Sequence, residues 1–276
     1  MGNNTHVSRR TMSVHQEHEM LLKLESAGLT GDLAQRVIDS PNNNLARKVV
    51  GFIQTGGFER SVSQQYARTI MRQNYFGVEE AIRHFGVRPE EWQVAALEEV
   101  PFSEEVLNAH KETHILCAVF PLSFTEIIEK VGDRVSVVED EMNTGWADES
   151  LLDPDSTFES PRWRLVRKAP VLGSIGKSWS DQQELLSPDE AVPRAHTVIY
   201  TILGYYLETG QRLLSAVSVR CVDYDDISER RVVVGYFDLI CEMRGTAFHV
   251  ECERDHADDG IGLASVIRPP QEHLYQ

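Results

Sequence analysis

Apolar residues recur at three- and four-residue spacing from Gln16 to about His110, and beyond that point they fall into short runs and alternation. The first pattern predicts helices and the second strands. Met20, Leu21 and Leu24 form a short stripe that stops before Gly28. Thr30 is placed to cap a helix through Asp39, with Leu33, Val37 and Ile38 inward, and Pro41 ends it. Asn44 is placed to cap the next helix, with Leu45, Val49, Phe52 and Ile53 on one face and Gly56-Gly57 closing it. Ser61 or Ser63 starts a helix carrying Tyr66, Ile70 and Met71, and Val78–His84 is a short helix before Gly86. Pro89 opens Glu90–Glu99, and Ser103 caps Glu104–His110. Short helices on short connections describe a helical bundle or cap.

Thr113–Phe120 is an apolar run bounded by polar residues and Pro121, as in a buried strand. Ser123 or Thr125 caps Glu126–Val131, and Arg134–Val138 reads as a second strand. Residues 139–160 hold eight carboxylates and no lysine or arginine, which predicts an exposed acidic loop. Trp163–Lys168 alternates as a strand, with Arg164, Val166 and Lys168 on one face. Ser180 caps a short helix through Leu186, and Ser187-Pro188-Asp189-Glu190 reads as the start of a longer one. The stripe of Ala195, Val198, Ile199, Ile202, Leu203, Tyr206 and Leu207 marks the clearest helix of the chain, ended by Gly210. Val217–Val222, Arg231–Phe237 and Ala247–Cys252 read as antiparallel strands.

The pattern therefore predicts an α+β protein, in which a helical N-terminal region precedes a mixed, largely antiparallel sheet with one long packed helix. The boundaries it suggests are a mobile tail at 1–14, a helical region at 15–111, an α+β domain at 112–268 and a second tail at 269–276.

Charge refines this picture. The net charge is −16, with −2 on residues 1–111 and −14 on the remainder. Such a balance opposes non-specific binding to nucleic acid or an anionic membrane, because the long-range field repels phosphate. No apolar run approaches the ~20 residues that span a bilayer. Met1–His15 lacks the apolar core of a signal peptide. Gly2 fails the myristoylation pattern because position 6 is His6. The cysteines at 117, 221, 241 and 252 have no Cys-x-x-Cys spacing and lie in apolar contexts, which suits a reducing, cytoplasmic compartment.

Three segments invite chemistry. Gly173-Ser-Ile-Gly176-Lys177-Ser178 resembles the end of a phosphate-binding loop, but Val171 stands where that motif needs a glycine, and acids follow it early. His249, Glu251, Cys252, Glu253, Asp255, His256, Asp258 and Asp259 form the densest set of metal-ligand types. With Asp238 ending the preceding strand, Asp238, Glu251, Glu253 and His256 could hold Mg²⁺ or Mn²⁺ and activate water. Glu253 stands where an Asp…Glu-x-Lys nuclease needs lysine, and the spacing fits no zinc site. Arg164, Arg167, Lys168 and Lys177, with Arg162 and Arg194 nearby, form the main positive cluster of an acidic half and suit an anionic ligand. Internal pairing with the 139–160 carboxylates is the simpler expectation for them.

Phe102-Ser-Glu-Glu-Val-Leu107, Thr113-His-Ile-Leu116, Val119-Phe-Pro-Leu-Ser123, Trp163-Arg-Leu-Val-Arg-Lys168, Lys177-Ser-Trp179 and Gly235-Tyr-Phe-Asp238 together resemble an uncharacterised family of bacterial hypothetical proteins. The resemblance covers roughly residues 75–264 and implies one unit there; it carries over no activity. With no catalytic template complete, the sequence points to a non-catalytic binding or scaffold protein acting through a protein partner or self-assembly, with no cofactor. The alternative is a metal-dependent hydrolase using the carboxylate/histidine cluster.

Overall fold

Hydroxyl groups start most of the helices. The computed structural model describes residues 12–132, 135–139, 160–225, 229–240 and 245–270, with backbone alone at 136–139, 225, 236–240 and 245–247. The expected acidic loop therefore lies almost wholly outside the described residues, as do most of both expected tails. The chain divides into two compact units between Gln54 and Thr55. The sequence pattern places that division at 111/112; the difference arises because the helices from Val62 onward pack on the sheets.

The first unit holds α1 (Val14–Ser26), α2 (Gly31–Ile38) and α3 (Asn44–Gln54). Ser13 and Gln16 exchange a capping box at α1, and Thr30 Oγ1 accepts from Leu33 N at α2. Asn44 is itself helical; Ser40 Oγ accepts from Leu45 N, 2.9 Å away, and takes the capping role expected of Asn44. No side chain of these three helices is buried.

The second unit begins with α4 (Val62–Met71), α5 (Val78–Phe85), α6 (Glu91–Ala96) and α7 (Glu104–His110). Between α4 and α5 a two-residue strand, β1 (Tyr75–Phe76), pairs in parallel with β2 (His114–Val119). Next come α8 (Phe124–Val131), β3 (Ser136–Glu139), β4 (Arg162–Arg167), α9 (Trp179–Gln183), β5 (Glu190–Ala191) and α10 (Ala195–Thr209). The chain then forms β6 (Ser218–Asp225), β7 (Arg230–Ile240), β8 (Gly245–Glu253), β9 (Ile261–Leu263) and β10 (Val266–Ile267). The result is α+β, with two five-stranded mixed sheets in place of the single sheet expected. Their orders are β1-β2-β4-β10-β5 and β3-β8-β7-β6-β9.

Alternation assigns the faces of the first sheet. Trp163 and Leu165 are buried toward the helices of residues 62–110, where Trp163 Nε1 donates to Leu97 O at 3.0 Å. On the other face Phe76, Cys117 and Val119 meet α10, which also packs against β6 and β7 of the second sheet. Every residue of α10 from Ala195 to Tyr205 is buried, so this helix is enclosed all round, beyond its expected apolar stripe. Gly204 permits this: a Cβ there would lie 2.8 Å from Phe76 Cζ.

The expected helix start at Ser187-Pro188-Asp189-Glu190 is instead a turn into β5. Pro193 explains it, because proline drives the preceding residue out of the helical region and lacks the N–H a helix interior needs. The helix begins two residues later with Arg194 as N-cap, and its first amide, Ala195 N, donates to Asp223 Oδ2 of β6 at 2.5 Å. A carboxylate from a distant strand thus takes the place of a local cap. Ser178, rather than Ser180, caps α9.

Candidate functional site

The carboxylate/histidine cluster disperses. On β8, Val250 and Cys252 are buried while His249, Glu251 and Glu253 share the other, half-buried face, as alternation predicts. His249 Nδ1 lies 3.3 Å from Glu251 Oε1. Asp238 stands opposite Ala247 in the ladder, four positions and roughly 13 Å along the strand from Glu251; its side chain is outside the described ones. Glu253 faces Arg231, whose guanidinium pairs with Asp255 at 3.1 Å, donates to Val222 O at 2.7 Å and stacks 3.6 Å from the Trp179 ring centroid. His256 is exposed in the following turn, and its carbonyl accepts from Arg220. The register sets the backbone of Asp238 apart from that of Glu251, and His256 lies beyond the end of the strand. Among the described residues no three His, Cys, Asp or Glu side chains are placed to hold a metal ion.

The glycine-lysine loop is committed to protein contacts. Val171 N donates to Leu263 O, Gly176 N to Asp258 O, Lys177 N to Ser174 O and Trp179 N to Asp255 O. These amides are the donors a phosphate would need. Beneath the loop, the fully buried Arg220 donates to Lys177 O, Gln182 Oε1, Arg254 O and His256 O at 2.5–3.2 Å. Loop and turn are therefore a lid sewn to the outer face of the second sheet. The Lys177 side chain is exposed above it.

The basic cluster also divides, because neighbours on a strand point to opposite faces. Arg167 pairs with the buried Glu190 at 3.1 Å; that carboxylate also accepts from Ser187 N, Ser187 Oγ and Ser265 Oγ. Lys168 Nζ donates to Asn74 Oδ1 at 3.4 Å, and burial lowers its pKa. Neither contact involves Arg164.

Arg164 instead lines a pocket of about 290 Å³ together with Arg162, Arg194 and Arg268. Strands β4 and β10 make its floor: Arg162 and Arg164 are two apart on one face of β4, and the pairing of Ile267 with Leu165 carries Arg268 alongside Arg164. Residues 191–194 and Thr197, in the first turn of α10, make its wall. The wall is tied to β6 by Val222 N donating to Pro193 O at 3.0 Å and by the Asp223 contact with Ala195. Arg162 and Arg164 are half-buried, whereas Arg194 and Arg268 stand exposed at the rim. Asp223 lies 3.8 Å from Arg194. Among the described residues neither Arg164 nor Arg268 has a carboxylate within ion-pair distance, and no acidic side chain lines the pocket. Burial, and then repulsion from Arg162, pull the Arg164 guanidinium down to about 10. Burial and the charge of Arg194 lower Arg162 as well. Arg164 thus carries its charge in a recess of lowered dielectric beside that of Arg162.

Arg162 and Arg194 belong to the sequence cluster, but Arg268, one residue before the expected tail, carries no sequence signal linking it to them. Their convergence depends on β10 inserting beside β4. The chain matches no known family model, no curated protein and no solved structure. Among the described residues, no helix is long and apolar enough to cross a membrane.

Proposed function

We propose that this protein binds a small anionic ligand in the arginine pocket, and that this binding is its function. One observation carries the reading: four guanidiniums from three separate segments line one recess, and the half-buried Arg164 among them has no ion pair with a described carboxylate. Guanidinium is the cation suited to such a site, since its planar fork matches the oxygens of carboxylate and phosphate and it stays charged when partly buried. The overall charge of −16 restricts the ligand to small anions, because a polyanion approaching the surface meets net repulsion. Thermal unfolding at constant ionic strength, with phosphate, sulfate, citrate or acetate added in turn, tests the reading. A ligand at a hundred times its Kd stabilises the native state by about 2.7 kcal/mol. A rise in Tm with at least one anion, lost in Arg162→Ala/Arg164→Ala, is the expected result; no rise with any of them refutes it.

A second reading, association with a protein partner or with another copy, is favoured by the first unit. Its helices bury no side chain, and Ile38 and Ile53 are 70% and 60% exposed. Light scattering of the purified chain across a concentration series, with and without residues 1–54, separates self-association from the monomer.

A further inference from the structure

We infer that the first unit is a homodimer contact, in which α1 of one copy lies against α3 of the other about a two-fold axis. The inference rests on the association reading and deepens it: the partner is a second copy of this chain, and the elements that meet are assigned.

Burial sets the need for a partner. Helices α1, α2 and α3 have 13, 8 and 11 residues, lengths at which a helix in water depends on packing for its stability. None of their side chains is buried. A unit of this size needs a disulfide, a metal or a second chain to complete it. Residues 1–54 contain no cysteine, and among the described residues no three metal-ligating side chains come together. That leaves a second chain. Apart from Phe52, which already has a contact, twelve large apolar side chains of residues 12–54 are 37–71% exposed. At about half of ~170 Å² each they present on the order of 1,000 Å² of apolar surface, and a standard interface takes roughly 800 Å² from each partner.

Charge singles out a copy as that chain. Helix α1 carries Glu17, Glu19 and Glu25 against a single lysine, Lys23, whereas α3 carries Arg47 and Lys48 and no acid. Glu19, Glu25, Arg47 and Lys48 have no ion pair among the described residues. Residues three or four apart on a helix are neighbours, so Glu25 borders Leu21 and Lys48 borders Leu45, each charge at the rim of an apolar stripe. A surface that holds one helix of each sign is complementary to itself, as a two-fold contact requires. The wider field favours the same surface. Residues 1–54 hold 6 basic and 5 acidic side chains, net +1, and residues 55–276 hold 21 and 38, net −17. Two copies repel through their second units and meet with least repulsion at the first.

Sedimentation equilibrium of the full chain and three variants, at fixed ionic strength, tests this. The unaltered chain should form a dimer and nothing larger. Glu19→Lys/Glu25→Lys and Arg47→Glu/Lys48→Glu should each weaken the dimer at least about ten-fold, because each sets like charges face to face. Mixed in equal amounts, these two variants should recover a heterodimer in which every acidic helix meets a basic one. Ile38→Gln/Ile53→Gln should weaken the dimer to a similar extent. All six positions are exposed and all the replacements are good helix formers, so circular dichroism should be unchanged in each variant. Charge variants that fail to recover on mixing, or that dimerise normally while the glutamine variant does not, would overturn the pairing of α1 with α3 and leave an association surface on the first unit. Dimerisation untouched in all three variants would place the contact elsewhere and remove the association reading as well. A chain that stays monomeric at every concentration, or that grows past the dimer, would overturn the homodimer.

Discussion

Replacing Arg220 with alanine should be among the most damaging single changes in the second unit. Arg220 is fully buried, and its two terminal nitrogens donate four hydrogen bonds, to Lys177 O, Gln182 Oε1, Arg254 O and His256 O. Hydrogen bonds from a charged donor contribute about 1.5–3 kcal/mol each, but four from one group do not add fully. Burying the guanidinium also has a cost, which burial expresses as a lowered pKa. The balance, with a cavity and unsatisfied acceptors left behind, gives a net destabilisation of about 4 kcal/mol. For a unit of this size that corresponds to a fall in Tm of roughly 8–16 °C. Circular dichroism melts of Arg220→Ala and Arg220→Lys provide the measurement, with the lysine variant losing about half as much because it keeps the charge without the fork. Hydrogen exchange should localise the damage: residues 173–178 and 254–258 should lose protection first, since Arg220 is what joins them. A loss under ~1 kcal/mol, or an exchange pattern confined to other segments, would refute the view that this side chain fastens the lid.

His114 is buried, its Nε2 has no hydrogen-bond partner among the described residues, and burial, then the neighbouring His110 and Arg167, hold its pKa down to about 3. Its unfolded value is near 6.5. The unfolded chain thus binds the extra proton first, so this contribution to stability is fully present above about pH 6.5 and disappears as pH falls toward 3. Urea midpoints at pH 7, 5 and 4 should fall less steeply in His114→Gln; equal slopes would contradict the argument. Gly204→Ala should cost about 1–3 kcal/mol through its clash with Phe76, and Phe76→Leu in the same chain should recover part of it; a neutral single variant would show that α10 can shift. Asp223→Ala should cost about 1–2 kcal/mol by uncapping α10. Chemical denaturation checks it, and no loss would mean that another group caps the helix.

Where neighbours along the chain decide the outcome, the sequence was readable. Ser61 and Ser103 cap the helices expected of them, β2 and β4 fall where apolar runs and alternation place them, and β6, β7 and β8 form the antiparallel ladder. Where a distant partner decides, it was not. Glu190 looks like a helix-start residue, yet Pro193 and the pull of Ser265 and Arg167 make it a strand. Tyr75-Phe76 is too short to announce a strand, and joins one because β2 offers an edge. The site shows the same limit. Arg164 lines a pocket, but Arg167 and Lys168, close by in sequence, pair with Glu190 and Asn74, while Arg268 completes the lining from about a hundred residues away. The cluster around His249 stands out by density of residue type, which says nothing about ladder register; the register separates Asp238 from Glu251.

The position of β10 has a consequence for synthesis. This two-residue strand inserts between β4 and β5, so two segments made much earlier wait for Val266 and Ile267 to bridge them. Strands β6 to β9 of the second sheet are translated in the interval. Pairing across so long a separation is slow, since loop closure precedes any reward. On the ribosome, the first sheet of the second unit therefore remains open until residues beyond Ile267 clear the exit tunnel. The same bridging event brings Arg268 beside Arg164, so a nascent chain acquires its arginine-lined pocket in the step that closes its sheet.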